Sequence, residues 1–276
     1  MKIKTNQVLE KGGKRPILWD VYWPSEEKTD LITIFCHGYK GFKDWGAWHL
    51  AAEEFAASGM PFVKFNFSHN GGTVEQPIDF PDLQAFAENN YSLEMEDLQH
   101  LIIHLQQEFG PRPIALIGHS RGGGIVLLKA AEEPLVKKVI TWAGVSDYKA
   151  RFQKGTPEFE LWREKGITYI ENTRTGQFLP HNWQFYEDFA ENEERLTISR
   201  AVRQLQIPQL IVHGSADPTV NLSEAHALHS WNANSRLEII EGADHVFGMQ
   251  HPWKKEELPA HMKDTVALTK AFILDT

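Results

Sequence analysis

The sequence predicts the α/β class: a mostly parallel central sheet flanked by helices, with a cap inserted after the sixth strand. Three observations carry this expectation. Short apolar runs bounded by turn residues alternate with longer segments of helical period, the order produced by parallel strands joined through helices. Runs such as LITIFCHG and PIALIGHS are apolar at nearly every successive position, so neither face of the strand is meant for water. Residues 148–200 break the alternation and are rich in aromatics.

Taken in order, two antiparallel strands open the chain, about Lys2 to Glu10 and Arg15 to Trp23, around a turn at Gly12-Gly13. Leu31 to Gly38 is the third strand, and a helix from about Trp45 to Ser58 stops at Gly59. Pro61 to Ser68 is the fourth strand. Leu98, Leu101, Ile102 and Leu105 then fall at helical spacing within Leu93 to Phe109, which Gly110-Pro111 ends. PIALIGHS, the helix GGGIVLLKAAEE and the strand Lys137 to Gly144 follow. After the interruption come strands Pro208 to Gly214 and Arg236 to Gly242, with helices near Leu222 to Trp231 and Leu258 to Leu274.

At 276 residues the simplest count is one core domain, 1–147 with 201–276, and one cap, 148–200. Apolar residues make up 42% and charged residues 24%, and no apolar run approaches the ~20 residues that span a bilayer, so a soluble protein is expected. MKIKTNQVLE lacks a continuous apolar stretch and reads as a strand instead of a secretory signal, which makes the cytoplasm the expected compartment. The single cysteine, Cys36, lies in an apolar run and reads as a small buried hydrophobe. A net charge of −9 with scattered basic residues speaks against nucleic acid as a partner. The 13 histidines form no HExxH and no zinc-type pairing with cysteine, so no metal or other cofactor is expected.

Gly118-His119-Ser120-Arg121-Gly122 fits G-x-S-x-G between a buried strand and a helix. In such a turn the serine is held in a strained backbone conformation and its hydroxyl projects at the carboxyl edge of the sheet, where α/β proteins bind ligands. A serine hydroxyl needs a base to take its proton and a carboxylate to orient that base. Asp217 follows the strand PQLIVHG and His245 follows RLEIIEG. Both fall on loops after later strands, in the order Ser, Asp, His.

With HG after the third strand, GHSRGG at the turn, HGSADPTV at the acid and GADHVF at the histidine, the chain resembles the α/β-hydrolase fold serine hydrolases over nearly its whole length. Its capped layout is most similar to the cinnamoyl or feruloyl esterase-like branch. The resemblance implies an oxyanion hole made by the backbone N–H of Arg121, the residue after the nucleophile, and of Tyr39, the residue after HG, with Lys40 as the fallback. Relatives in that branch often carry glutamine or methionine where this chain has Arg121.

Other candidates weigh less. Asp147 follows the sixth strand, an alternative place for the acid; Asp244 adjoins His245 and reads as a solvated loop residue. His37 and His119 read as packing residues of their loops, His226 and His229 as an exposed helix face, and His181 and His251 have no evident partner. Between 148 and 189 there are ten aromatics, against 11% for the chain, enough to line an acyl pocket or to fill the core of the cap itself. Phe178, Trp183, Phe185 and Tyr186 are the expected pocket residues. The expected activity is a serine carboxylesterase acting through an acyl-enzyme on small-molecule esters, with aromatic or other apolar acyl groups. The alternatives are a peptidase or other acyl hydrolase on the same triad, and a ligand-binding receptor without catalysis.

Overall fold

The computed structural model describes residues 1–12 and 14–275. Gly13, half of the turn expected near the N-terminus, and Thr276 lie outside the described residues. Among these residues, eight strands form one sheet in the order β1-β2-β4-β3-β5-β6-β9-β10. They are β1 (Lys2–Lys11), β2 (Lys14–Trp23), β3 (Ile32–Cys36), β4 (Phe62–Asn66), β5 (Ile114–His119), β6 (Val136–Trp142), β9 (Gln209–Gly214) and β10 (Ser235–Ile240). All neighbours from β4 to β10 pair in parallel, while β1 and β2 form an antiparallel hairpin that joins β4 antiparallel. β7 (Ile167–Asn172) and β8 (Gln177–Asn182) make a separate hairpin.

The continuous apolar runs are explained by cover on both faces. Along β5, Ile114 and Leu116 join the cluster that contains α3 (Tyr91–Phe109), α4 (Arg121–Glu132), α7 (Ile198–Gln204) and α8 (Leu222–Trp231). The alternate residues, Ala115 and Ile117, face α1 (Trp48–Ala57) and α9 (Ala260–Leu274). Each strand thus feeds two helical layers through its period of two.

α2 (Leu83–Glu88) escapes a reading by periodicity because it has only six residues, started by Asp82, whose side chain accepts the Ala85 N–H. Between β6 and α7 lie a 3-10 turn (Lys149–Phe152), α5 (Pro157–Lys165), the β7–β8 hairpin and α6 (Gln184–Glu191). Phe152, Phe159, Trp162, Phe185 and Phe189 of this insertion belong to the same hydrophobic cluster as α3 and α4. The insertion is therefore packed onto the main core. None of the described helices is long and apolar enough to cross a membrane.

Candidate active site

The strand β5 ends at His119 and α4 begins at Arg121, leaving Ser120 alone at the junction with φ 55° and ψ −120°. A non-glycine residue held there stores about 1–3 kcal/mol of strain, which the surroundings must over-determine. They do so with hydrogen bonds: the Ser120 N–H donates to Trp142 O at 3.0 Å, and Ser120 O accepts from Gly123 at 2.9 Å and Val145 at 3.2 Å. The flanking glycines allow the approach. A Cβ on Gly118 would lie 2.2 Å from Gly122 O, and one on Gly122 would lie 2.5 Å from the carbonyl oxygens of Cys36 and His37.

Two loops bring the other candidates together. After β9, Ser215 N–H donates to Ile240 O and Ala216 N–H to Ala243 O, both at 3.0 Å, which ties this loop to the one after β10. His245 Nδ1–H then donates to Asp217 Oδ2 at 2.8 Å, and the Asp217 side chain is fully buried. Burial alone would raise the Asp217 carboxyl; the hydrogen bonds from His245 and from the Val220 and Thr219 N–H groups outweigh it and hold the group below the usual carboxylate range. Asp244 points elsewhere, accepting from Val246 at 3.2 Å and Gly248 at 2.8 Å, so it shapes the turn that carries His245. Asp147 is exposed and caps its own turn through Lys149 and Ala150. His119 Nε2–H donates to His245 O at 2.9 Å, and burial lowers this ring to about 3, which keeps it neutral. No hydrogen bond joins Ser120 Oγ to His245 among the described residues.

The loop after β3 closes the other side. Cys36 pairs with Gly118 across the sheet, and Gly38 packs so tightly that a Cβ there would sit 2.9 Å from Ser120 Cβ. His37 stiffens the loop: Nδ1–H donates to Gly38 O at 2.9 Å and Nε2 accepts the Phe67 N–H at 3.3 Å, which fixes one neutral tautomer, in keeping with burial lowering this ring to about 4. Neither the Tyr39 nor the Arg121 N–H donates to any described residue.

Farther along, the same loop is anchored in the sheet. Lys43 Nζ lies 3.0 Å from the Asp20 carboxylate and 2.6 Å from Asp44, and Lys64 in β4 bonds both carboxylates as well. Asp20, Lys43 and Lys64 are all buried. The four charges cancel, and removing one strands another. Asp20→Ala should therefore lose about 3–5 kcal/mol of stability, measured by urea unfolding; a loss under about 1 kcal/mol would show that the lysines find other partners.

Ser120 opens into a cavity of about 490 Å³ lined by Tyr39, Tyr91, Arg121, Tyr148, Phe152, Phe159, Trp162, His181 and Phe185, among others. Ser120, Tyr39 and Arg121 thus border one chamber rich in aromatic side chains, while Asp217 and His245 are not among its lining residues. Residues 33–255 match the Alpha/beta hydrolase family. This chain belongs to that family.

Relatives of this hydrolase are esterase-like. Serine hydrolase BPHL of Mus musculus is 28% identical over 142 residues, 49% of this chain and 49% of that protein. Monoacylglycerol lipase of Mycolicibacterium smegmatis is 28% identical over 123 residues, 45% of this chain and 40% of that one. The chain spans about half the length of the curated relatives it matches. Est1E from Butyrivibrio proteoclasticus has a similar structure, with a TM-score of 0.74 at 16% identity over 98% of each chain. A second structure of Est1E, at a TM-score of 0.74 and 17% identity over 97% of this chain and 98% of that one, holds ferulic acid. At such identities the likeness is one of fold.

Of the four cap aromatics named from the sequence, the structure sends only Phe185 into the cavity of this hydrolase. Phe178 is 62% exposed: it pairs with Glu171 on the outer face of the hairpin, and alternation turns its neighbour Leu179 inward. Trp183 and Tyr186 pack on Phe159, with ring centroids 5.2 and 4.8 Å away, and so support the wall without forming it. The wall itself is Phe152, Phe159 and Trp162. Phe159 and Trp162 stand three apart on α5, a helical spacing that could have singled them out.

His181, for which the sequence offers no partner, meets Tyr39: Nε2 and the phenol oxygen are 2.7 Å apart. Its carbonyl accepts Trp162 Nε1–H at 2.9 Å, so the residue ties α5 and the β7–β8 hairpin to the loop after β3. Burial, reinforced by Arg121 and Lys40, lowers the ring to about 3. His251 accepts the Gly46 N–H at 3.0 Å and lies apart from the cavity.

Proposed function

We propose that this hydrolase is a serine carboxylesterase that works through an acyl-enzyme, and that its acyl group is aromatic or otherwise apolar. The observation that carries the reading is Ser120, strained at the strand–helix junction and opening into the cavity, together with a His245–Asp217 hydrogen bond on the loops after β9 and β10. In this reading His245 Nε2 takes the Ser120 proton as Oγ attacks the ester carbonyl. Asp217 keeps the proton on Nδ1 and stabilises the imidazolium. Oγ and His245 must close to hydrogen-bond distance as substrate enters, a tightening common when unliganded sites fill. The Tyr39 and Arg121 N–H groups would receive the oxyanion, having no other acceptor among the described residues. The imidazolium returns its proton to the leaving alcohol, and water then resolves the acyl-enzyme by the same steps. The aromatic walls support an apolar acyl group, as does the ferulic acid held by Est1E.

A fluorophosphonate probe tests the nucleophile. At neutral pH it should label the chain once, and peptide mass mapping should place the adduct on Ser120. An unlabelled protein, or an adduct on another serine, would sink the proposal.

A further inference from the structure

The mechanism uses only the backbone of Arg121, yet its guanidinium lines the same cavity as Ser120. The side chain is only 14% exposed and permanently charged. Its flat faces are covered: the guanidinium carbon lies 4.3 Å from the Tyr39 ring centroid, 5.2 Å from that of Phe185 and 5.4 Å from that of Tyr91. Its edges are not. A guanidinium carries five N–H donors, and the one acceptor among the described residues is Glu94 Oε1, 3.4 Å from Nη1.

Glu94 is a poor partner for the whole group. Its Oε1 already accepts Asn89 Nδ2–H at 2.8 Å, its Oε2 has no partner, and it lies outside the walls of the main cavity. Among the described residues the Nε–Nη2 edge of Arg121 has no acceptor, and this edge matches a carboxylate through two parallel hydrogen bonds. The other charges lining the cavity do not meet that need. Arg151 pairs with Glu224, and Glu158 is exposed. Those donors are not sealed from solvent, so a ligand that enters the cavity can supply the missing acceptor.

We infer that the ester this site takes carries a carboxylate on its acyl group, bound by the Nε–Nη2 edge of Arg121, with apolar chain against the aromatic walls. The inference rests on the esterase reading above and replaces its wholly apolar acyl group with an apolar chain that ends in a carboxylate. Ser120 and the Arg121 guanidinium line the same cavity, so the carboxylate belongs on a short chain that reaches from the reacting carbonyl to the guanidinium. The substrate class is the monoester of a short dicarboxylic acid.

The test compares monoethyl glutarate with ethyl valerate, near-isosteric esters that differ in the terminal charge. The wild-type protein should favour monoethyl glutarate by about tenfold or more in kcat/KM, the discrimination expected of a charge-assisted pair. In Arg121→Gln that ratio should fall to one or below, whatever the absolute rates, and Arg121→Lys should fall between. Free glutarate should compete with p-nitrophenyl butyrate on the wild-type protein, a readout that needs no variant to fold. If ethyl valerate is turned over as well as monoethyl glutarate and glutarate does not compete, the inference fails while the esterase reading stands. If neither ester is hydrolysed and the fluorophosphonate does not react, the esterase reading itself fails.

Discussion

Ser120→Ala should lower kcat for p-nitrophenyl butyrate by about 10⁴- to 10⁶-fold while leaving the fold intact. In the proposed mechanism the nucleophile, its base and the acid act as a unit, so losing Oγ would remove the covalent route entirely. Only binding and the oxyanion donors remain to assist water, which gives the residual rate. The substitution also relieves nothing structural: the hydrogen bonds at this junction are made by the Ser120 backbone, and alanine keeps them. Circular dichroism and a thermal melt should match the wild type. Turnover within about tenfold of wild type would remove Ser120 from the chemistry altogether.

Asp217→Asn is the second large effect, a loss of about 10⁴-fold in kcat with little change in stability. The reason is the direction of the hydrogen bonds. Asp217 Oδ1 accepts from Thr219 at 2.8 Å and Val220 at 2.9 Å, and an asparagine would keep its carbonyl oxygen there. Its NH₂ would then face His245 Nδ1, force the ring proton onto Nε2 and block the base. Asp147→Asn, by contrast, should leave the rate within about twofold, because that carboxylate is exposed and engaged with its own turn. A fall in Asp147→Asn with a normal Asp217→Asn would exchange the two assignments.

The sheet was legible because its strands are covered on both faces. Ile114 through Ile117 show no polar alternation to mislead, and glycines mark where β5 and β9 end. Ser120, Asp217 and His245 could each be placed just beyond a strand for the same reason. Contacts between segments distant in sequence were a different matter. Tyr39 and His181 are 142 positions apart, and Arg121 and Glu94 are 27 apart on different helices, so no local pattern announces either pair. The insertion between β6 and α7 stood out by composition, but composition does not say which ring faces in. There the order of in and out is set by the β7–β8 register and by the turn of α5, and Phe178 shows how a single residue of alternation decides the answer.

The anchoring of Lys43 changes how the site should come apart. Most functional loops open on their own, far below the free energy of global unfolding. Here a segment that begins four residues after Tyr39 is nailed to the interior of β2 and β4 by Asp20 and Lys64. To loosen it, the protein must bare two lysines and a carboxylate from the middle of its sheet. The loop beside the serine thus shares the endurance of the scaffold.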